Sequence, residues 1–107
     1  MRRQLYHRKT DYETVAASQT DQVLGATGAP GDVLVRLVIT VATALTAAVS
    51  IKDGAGGAAI PILPNSPGGG VGVYVVDLEI AGVTAASGGW RVTTGAGSTV
   101  VASGHFS

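Results

Sequence analysis

The stretch that decides the fold is VLVRLVITVATALTAAVSI, residues 33–51, which carries a single charge at Arg36. Its length is that of a membrane-spanning helix, which needs roughly 20 mostly apolar residues. Its composition favours strands instead, because the large apolar residues are mainly the β-branched Val and Ile. The odd-numbered positions from Val33 to Val41 are all apolar, whereas the even-numbered ones include Arg36 and Thr40. This period of two is typical of a strand with one dry face, so we expect a folded sheet and no membrane insertion.

The alternation weakens after Val41. We therefore expect the long strand to end in a connection, followed by a second strand over residues 47–52 and a glycine-rich turn over residues 53–57. The alanine-rich segment 41–49 could instead be held as a helix by tertiary contacts, and that alternative stays open.

The rest of the chain also indicates short strands separated by turns. The alternation is clearest over residues 71–81, where Tyr74, Val76, Leu78 and Ile80 are predicted to face the core and Val73, Val75, Asp77 and Glu79 the other side. Further candidate strands cover residues 12–18, 21–24, 58–63, 90–94 and 98–106. About six to eight strands spaced by turn signals predict an all-β fold, a single β-sandwich or jelly-roll-like domain with an extended amino-terminal arm.

Composition restricts the class of protein further. The 107 residues suffice for one domain, and only 13% of them are charged, about half the usual share. The chain has no cysteine, which excludes disulfides, a thiolate nucleophile and a cysteine-ligated metal. A basic start without a following apolar segment makes a secretory signal unexpected. So few charges predict that large surfaces are covered by copies of the chain or by another protein.

Charge divides the chain into a basic arm, residues 1–11, and an acidic β-sandwich body, residues 12–107. Residues 1–10 contain four bases and no acid, whereas the remainder contains three bases and seven acids. A solvated terminus would explain the arm, but an acidic partner protein is also expected to bind it. Nucleic acid ranks lower, because the body does not continue the basic surface. The candidate partner-binding residues are Arg2, Arg3, Leu5, Tyr6, Arg8 and Lys9, with the four bases on acidic surface and Leu5 and Tyr6 in apolar pockets.

No catalytic, cofactor-binding or metal site is predicted, and the chain is not expected to be an enzyme. The only histidines of the sequence are His7 in the arm and His105 at the carboxyl end, and both are poorly placed to serve as the base of a catalytic triad. Asp77 and Glu79 share one face of a predicted strand, a spacing compatible with paired carboxylates or a cation, although a solvated or partner-facing strand explains it more simply. Trp90 is expected to pack in the core, with sugar stacking as the alternative.

Four segments carry a resemblance: TVAASQTDQVLGATGAPGDVLVRL, AVSIKDG, NSPGGG and GGWRVTTGAGSTVVASGHF. Together they resemble small structural proteins of tailed bacteriophages of the capsid decoration, or cement, type. The resemblance implies a virion protein, made in the host cytoplasm, that binds the capsid exterior as a homo-oligomer, with a trimer favoured. Its partner would be the major capsid protein, with no direct contact to nucleic acid or membrane.

Two other functions remain open. The first is a phage tail, collar or fibre adaptor component. The second is a carbohydrate-binding β-sandwich module in which Trp90, with Tyr74, stacks on sugar rings.

Overall fold

A computed structural model describes residues 11–65, 70–78 and 83–107 of the chain. These residues form nine β-strands and no helix, which confirms the predicted all-β class. The strands are β1 (Asp11–Val15), β2 (Gln22–Val23), β3 (Val33–Val41), β4 (Val49–Asp53), β5 (Ile60–Leu63), β6 (Gly72–Asp77), β7 (Val83–Thr84), β8 (Trp90–Thr93) and β9 (Ser98–His105).

The strands pair as a long hairpin folded over on itself. Four antiparallel pairs nest inside one another: β1 with β9, β2 with β8, β3 with β6, and β4 with β5. Successive pairs alternate between two sheets. Sheet A has the order β1-β9-β3-β6, with β7 also pairing with β3, and sheet B has the order β2-β8-β4-β5. This is the strand order of a jelly roll, the more specific of the two predicted architectures.

The stretch 33–51 forms β3, a loop and β4. The helix alternative for residues 41–49 is therefore wrong, because residues 42–48 form a loop. Across the described parts of the chain, no helix is long and apolar enough to cross a membrane.

β3 lies at the centre of sheet A, but its buried face is not the one that simple alternation predicts. Leu34 is fully buried, whereas Val33 and Val35 are only half-buried. The cause is a β-bulge: Leu34 lies opposite Gly104 and Arg36 opposite Ser103, so Val35 is an extra residue on β3. The extra residue reverses the alternation, and the expected dry face is correct only from Leu37 onwards.

The core lies between the two sheets. Sheet A contributes Leu37 and Ile39, and sheet B contributes Ile51, Trp90 and Val92, all at most 4% exposed. The whole buried apolar set in the described residues is Val15, Leu24, Leu34, Leu37, Ile39, Val41, Leu45, Val49, Ile51, Leu63, Ala85, Trp90, Val92, Val100 and Ala102.

The predicted alternation of β6 is confirmed where the structure describes it. Tyr74, Val76 and Leu78 pack against the core, whereas Val73 and Val75 are exposed. The predicted positions of Glu79 and Ile80 lie outside the described residues.

The remaining strand predictions hold with small shifts of their ends. β1 begins at Asp11, so the last residue of the predicted arm belongs to the sheet. β7 was not predicted, because two residues are too few to show an alternation; it extends the pairing of β3 at Val33 and Leu34.

Candidate binding surfaces

Sheet A turns one face to the core and the other to solvent, and we call the second the outer face. Register defines its rows: Thr14, Val101, Val38 and Val75 lie opposite one another across the four strands. The side chains of the outer face are Tyr12, Thr14, Arg36, Val38, Thr40, Val73, Val75, Asp77, Thr99, Val101 and Ser103.

Three large hydrophobic side chains are exposed on this face, among exposed threonines and one ion pair. Tyr12 is 75% exposed, Val73 66% and Val75 57%. Val75 does not lie singly, because the half-buried Val38 and Val101 continue its row towards Thr14 on β1. Directly opposite side chains in a sheet lie about 5 Å apart, so these three valines form one apolar patch, with Val73 beside it on β6. Tyr12 lies in the next row, opposite Ser103 and diagonal to Val101. A continuous apolar patch rimmed by hydroxyl groups is typical of a surface that another molecule covers.

The charges of the outer face cancel. Arg36 and Asp77 lie directly opposite each other, and Arg36 Nε donates to Asp77 Oδ1 at 2.5 Å. Both side chains are more than half exposed, so the pair contributes little to stability. The Asp77 carboxylate is therefore paired with the Arg36 guanidinium. Glu79, the second acid of the predicted carboxylate or cation site, lies outside the described residues. The described chain holds no group of three His, Asp or Glu suited to a metal ion.

The outer face of sheet B is different in character. Lys52 and Arg91 lie opposite each other, and Asp21 accepts a hydrogen bond from Lys52 Nζ at 3.0 Å. The bond from Lys52 lowers the pKa of the Asp21 carboxyl, with a further contribution from the Thr93 hydroxyl at 3.1 Å. Sequence reasoning missed this cluster, because Asp21 precedes the short β2 and reaches Lys52 only through the pairing of sheet B. The outer face of sheet A thus exposes large hydrophobic side chains among hydroxyl groups and one ion pair, whereas the outer face of sheet B carries this charged cluster.

The two aromatic residues of the sugar-stacking alternative, Trp90 and Tyr74, both pack towards the core. Trp90 is 4% exposed, and its Nε1 donates to the carbonyl of Val83 at 3.0 Å. Tyr74 is half-buried against the core and donates its hydroxyl to the carbonyl of Gly70 at 2.7 Å. Trp90 is therefore the core residue that its position predicted, and its ring is not available to stack on a sugar.

A polar cleft lies where the carboxyl end of β9 meets the loop before β3, lined by Asp11, Asp32, His105 and Ser107 among others. Its buried acid is fully engaged, because Asp32 accepts from Ala29 N, Ser107 N and Ser107 Oγ at 3.1, 3.1 and 2.7 Å. Burial acts to raise the pKa of the Asp32 carboxyl, but these hydrogen bonds outweigh it and hold the pKa below its usual range. The Asp32 carboxylate thus links Ser107 to the loop that precedes β3 through hydrogen bonds.

The predicted partner-binding residues Arg2, Arg3, Leu5, Tyr6, Arg8 and Lys9 lie outside the described residues, as does His7. The structure instead identifies the outer face of sheet A as a candidate binding surface, which the sequence predicted only in part. The alternation of β6 predicts that Val73 and Val75 face away from the core. Their apolar neighbours Val38 and Val101 lie on other strands, and local sequence does not predict how those strands are aligned with β6.

Comparison of the chain with protein-family models, with curated protein sequences and with solved structures finds no match.

Proposed function

We propose that this protein is a structural component of a bacteriophage virion, a decoration protein that binds the exterior of the capsid and stabilises the shell. The observation that carries the proposal is the outer face of sheet A, a sheet surface with exposed apolar side chains and no net charge in its described part. A surface of this kind is suited to lie against another protein, where its apolar area leaves water.

The strength of one such contact is limited. Complete burial of a valine side chain yields about 1.5–3 kcal/mol, and Val73 and Val75 are 66% and 57% exposed. Together they could contribute about 2–4 kcal/mol, which does not exceed the estimated cost of about 4–15 kcal/mol for immobilising one protein on another. Stable attachment therefore needs further contacts on each copy and more than one attachment point per assembly.

The basic arm would supply some of those contacts. In this proposal Arg2, Arg3, Arg8 and Lys9 lie along acidic surface of the major capsid protein, while Leu5 and Tyr6 fill small apolar pockets. Each exposed ion pair would add only about 0–1 kcal/mol, so the arm adds to the outer face and does not replace it.

The jelly-roll order is compatible with this function. Jelly rolls occur in viral capsid proteins and in lectins, among others. The fold therefore supports the proposal only at the level of analogy, and the surface chemistry carries it.

Copy number in purified particles tests the proposal. Quantitative mass spectrometry of virions made from the genome that encodes this chain should find hundreds of copies per particle. A few dozen copies or fewer would favour the alternative of a tail, collar or fibre adaptor. Absence of the chain from the particles would refute both.

Deletion of residues 1–10 tests the role of the arm. The truncated chain should keep the circular dichroism spectrum and melting temperature of the full chain and lose most of its attachment to particles. Full occupancy after truncation would refute the arm as an anchor and leave the outer face as the binding element.

A further inference from the structure

Three of the four sheet edges of the sandwich are protected against pairing with another strand. β2 has only two residues, and β5 contains Pro61 and an irregular register with β4. β1 carries Asp11 and Glu13, whose carboxylates accept hydrogen bonds from Phe106 N and Gly25 N. Short length, proline and charge are the usual means by which natural sheets prevent edge-to-edge association.

The fourth edge, β6, has none of these protections over most of its length. Its sequence is GVYVVD, with one charge at its end, already paired with Arg36. Val71, which precedes it, and Val73 and Val75 within it are 70%, 66% and 57% exposed. An edge strand of six residues with four consecutive apolar residues, 73–76, is the kind that accepts another strand.

The backbone of β6 has hydrogen-bonding groups on its free side. Leu78 N donates to Val35 O at 3.0 Å, and the register places Val76 opposite Leu37 and Tyr74 opposite Ile39. In an antiparallel ladder these alternate residues exchange bonds with the neighbouring strand. The amides and carbonyls of Val73 and Val75 therefore point away from β3, towards an edge that no other strand of the described residues covers.

We propose that a second copy of the chain pairs with this edge, β6 against β6, antiparallel and about a two-fold axis at Tyr74. In this register Val73 lies opposite Val75 of the second copy, and Val75 opposite its Val73, so the outward-pointing groups of Val73 and Val75 in each copy find hydrogen-bond partners. The two sheets A become one continuous sheet.

Charge and side-chain matching select this register over its neighbours. An axis at Val75 would place Asp77 directly opposite Val73 of the second copy, inside the strand pair, whereas the axis at Tyr74 places Asp77 opposite Val71, which precedes β6. An axis at Val73 would overlap only the first half of each strand. With the axis at Tyr74 the four valines of the two copies form one cluster, and no like charges oppose each other.

The pairing leaves most of the outer face uncovered and joins the two outer faces side by side. Tyr12, on β1 at the far edge, stays exposed in the dimer. The inference concerns the isolated protein and does not rest on the proposed function, although a dimer would also give the two-point attachment that weak single contacts require.

Disulfide cross-linking tests the register, because the chain contains no cysteine of its own. An equimolar mixture of the Val73→Cys and Val75→Cys variants should form a cross-linked heterodimer on mild oxidation, since opposite residues have Cα atoms about 5.5 Å apart. Each variant alone should cross-link poorly, because equal residues would be diagonal neighbours about 7–8 Å apart. A mixture of Tyr12→Cys and Thr14→Cys, on the opposite edge, is the matched control. Heterodimer yields no higher than in that control would overturn the proposal.

Sedimentation equilibrium provides a second test. Val75→Pro removes an amide that points outwards and no bond to β3, and edge strands tolerate proline at such positions. The unsubstituted chain should dimerise, and Val75→Pro should raise the dissociation constant at least tenfold while Val75→Thr, which keeps the amide, raises it less. A wild-type chain that stays monomeric up to millimolar concentration, or a Val75→Pro chain that dimerises as tightly as wild type, would contradict the pairing.

Discussion

Replacement of Tyr12 by threonine is the most informative change to the outer face. Tyr12 is 75% exposed, is the second residue of β1 and is not among the described residues that pack against the core, so its side chain contributes little to the folded state. Threonine is also well accepted in strands. We expect the melting temperature of Tyr12→Thr to stay close to that of the unsubstituted protein, and its attachment to particles to weaken.

The size of the effect follows from the exposed area. A tyrosine buries about 150–250 Å² when fully covered, so a partner that covers the exposed three quarters of Tyr12 removes about 110–190 Å² from water. At about 25 cal/mol per Å² this corresponds to about 3–5 kcal/mol. Threonine keeps part of the contact, which leaves a loss of about 2 kcal/mol, or about a 30-fold weaker dissociation constant for each site.

The assay is a binding isotherm of the purified chain on particles that lack it. Ile60→Thr is the matched control, because Ile60 is 45% exposed but lies on β5 in sheet B. We expect Ile60→Thr to bind as the unsubstituted chain does. Equal affinity of Tyr12→Thr and the unsubstituted chain, or an equal loss in both variants, would refute the assignment of the outer face as the binding surface.

Three further predictions concern the fold. Gly104→Ala should destabilise the domain by about 2–4 kcal/mol in chemical denaturation, because a Cβ there would overlap the carbonyl oxygen of Val33 beside the bulge; a loss below about 0.5 kcal/mol would contradict this. Asp32→Asn should cost about 1.5–3 kcal/mol at pH 7, where the ionised carboxylate accepts its hydrogen bonds. Since the folded pKa of Asp32 is lowered, this stabilisation is complete above the unfolded pKa of about 3.9 and is lost as the pH falls through the folded value, so the cost should shrink at pH 3; a cost independent of pH would contradict the charge assignment. Trp90→Phe should lower the melting temperature by removing the indole hydrogen bond to β7 without abolishing folding, and unchanged stability would argue against its buried position.

Much of the fold could be predicted because a strand can be recognised from the local alternation of apolar and polar residues. The alternation over residues 71–81 identified β6 and its inward side chains, and the bounds of β3 at Val33 and Val41 follow from the apolar run between two turns. The bulge at Val35 could not be predicted, because it depends on which residue of β9 lies opposite, and local sequence carries no register.

The candidate surface was predictable only in part for the same reason. Exposure of Val73 and Val75 followed from alternation, but the patch needs Val38 and Val101, which reach them through pairings of high sequence separation. The Arg36–Asp77 pair, which neutralises the face, joins residues of two strands for which sequence alone gives no partner. The nested order of the pairs is what places all of these side chains on one surface.

Hydroxyl-radical footprinting of Tyr12 in free and particle-bound protein tests the central claim most directly, which is that the outer face of sheet A is covered in the assembly. Tyr12 should be oxidised readily in the isolated protein and be strongly protected on the particle, whereas the peptide that contains Ile60 on sheet B should react to the same extent in both. Equal oxidation of Tyr12 in the two states would contradict the account.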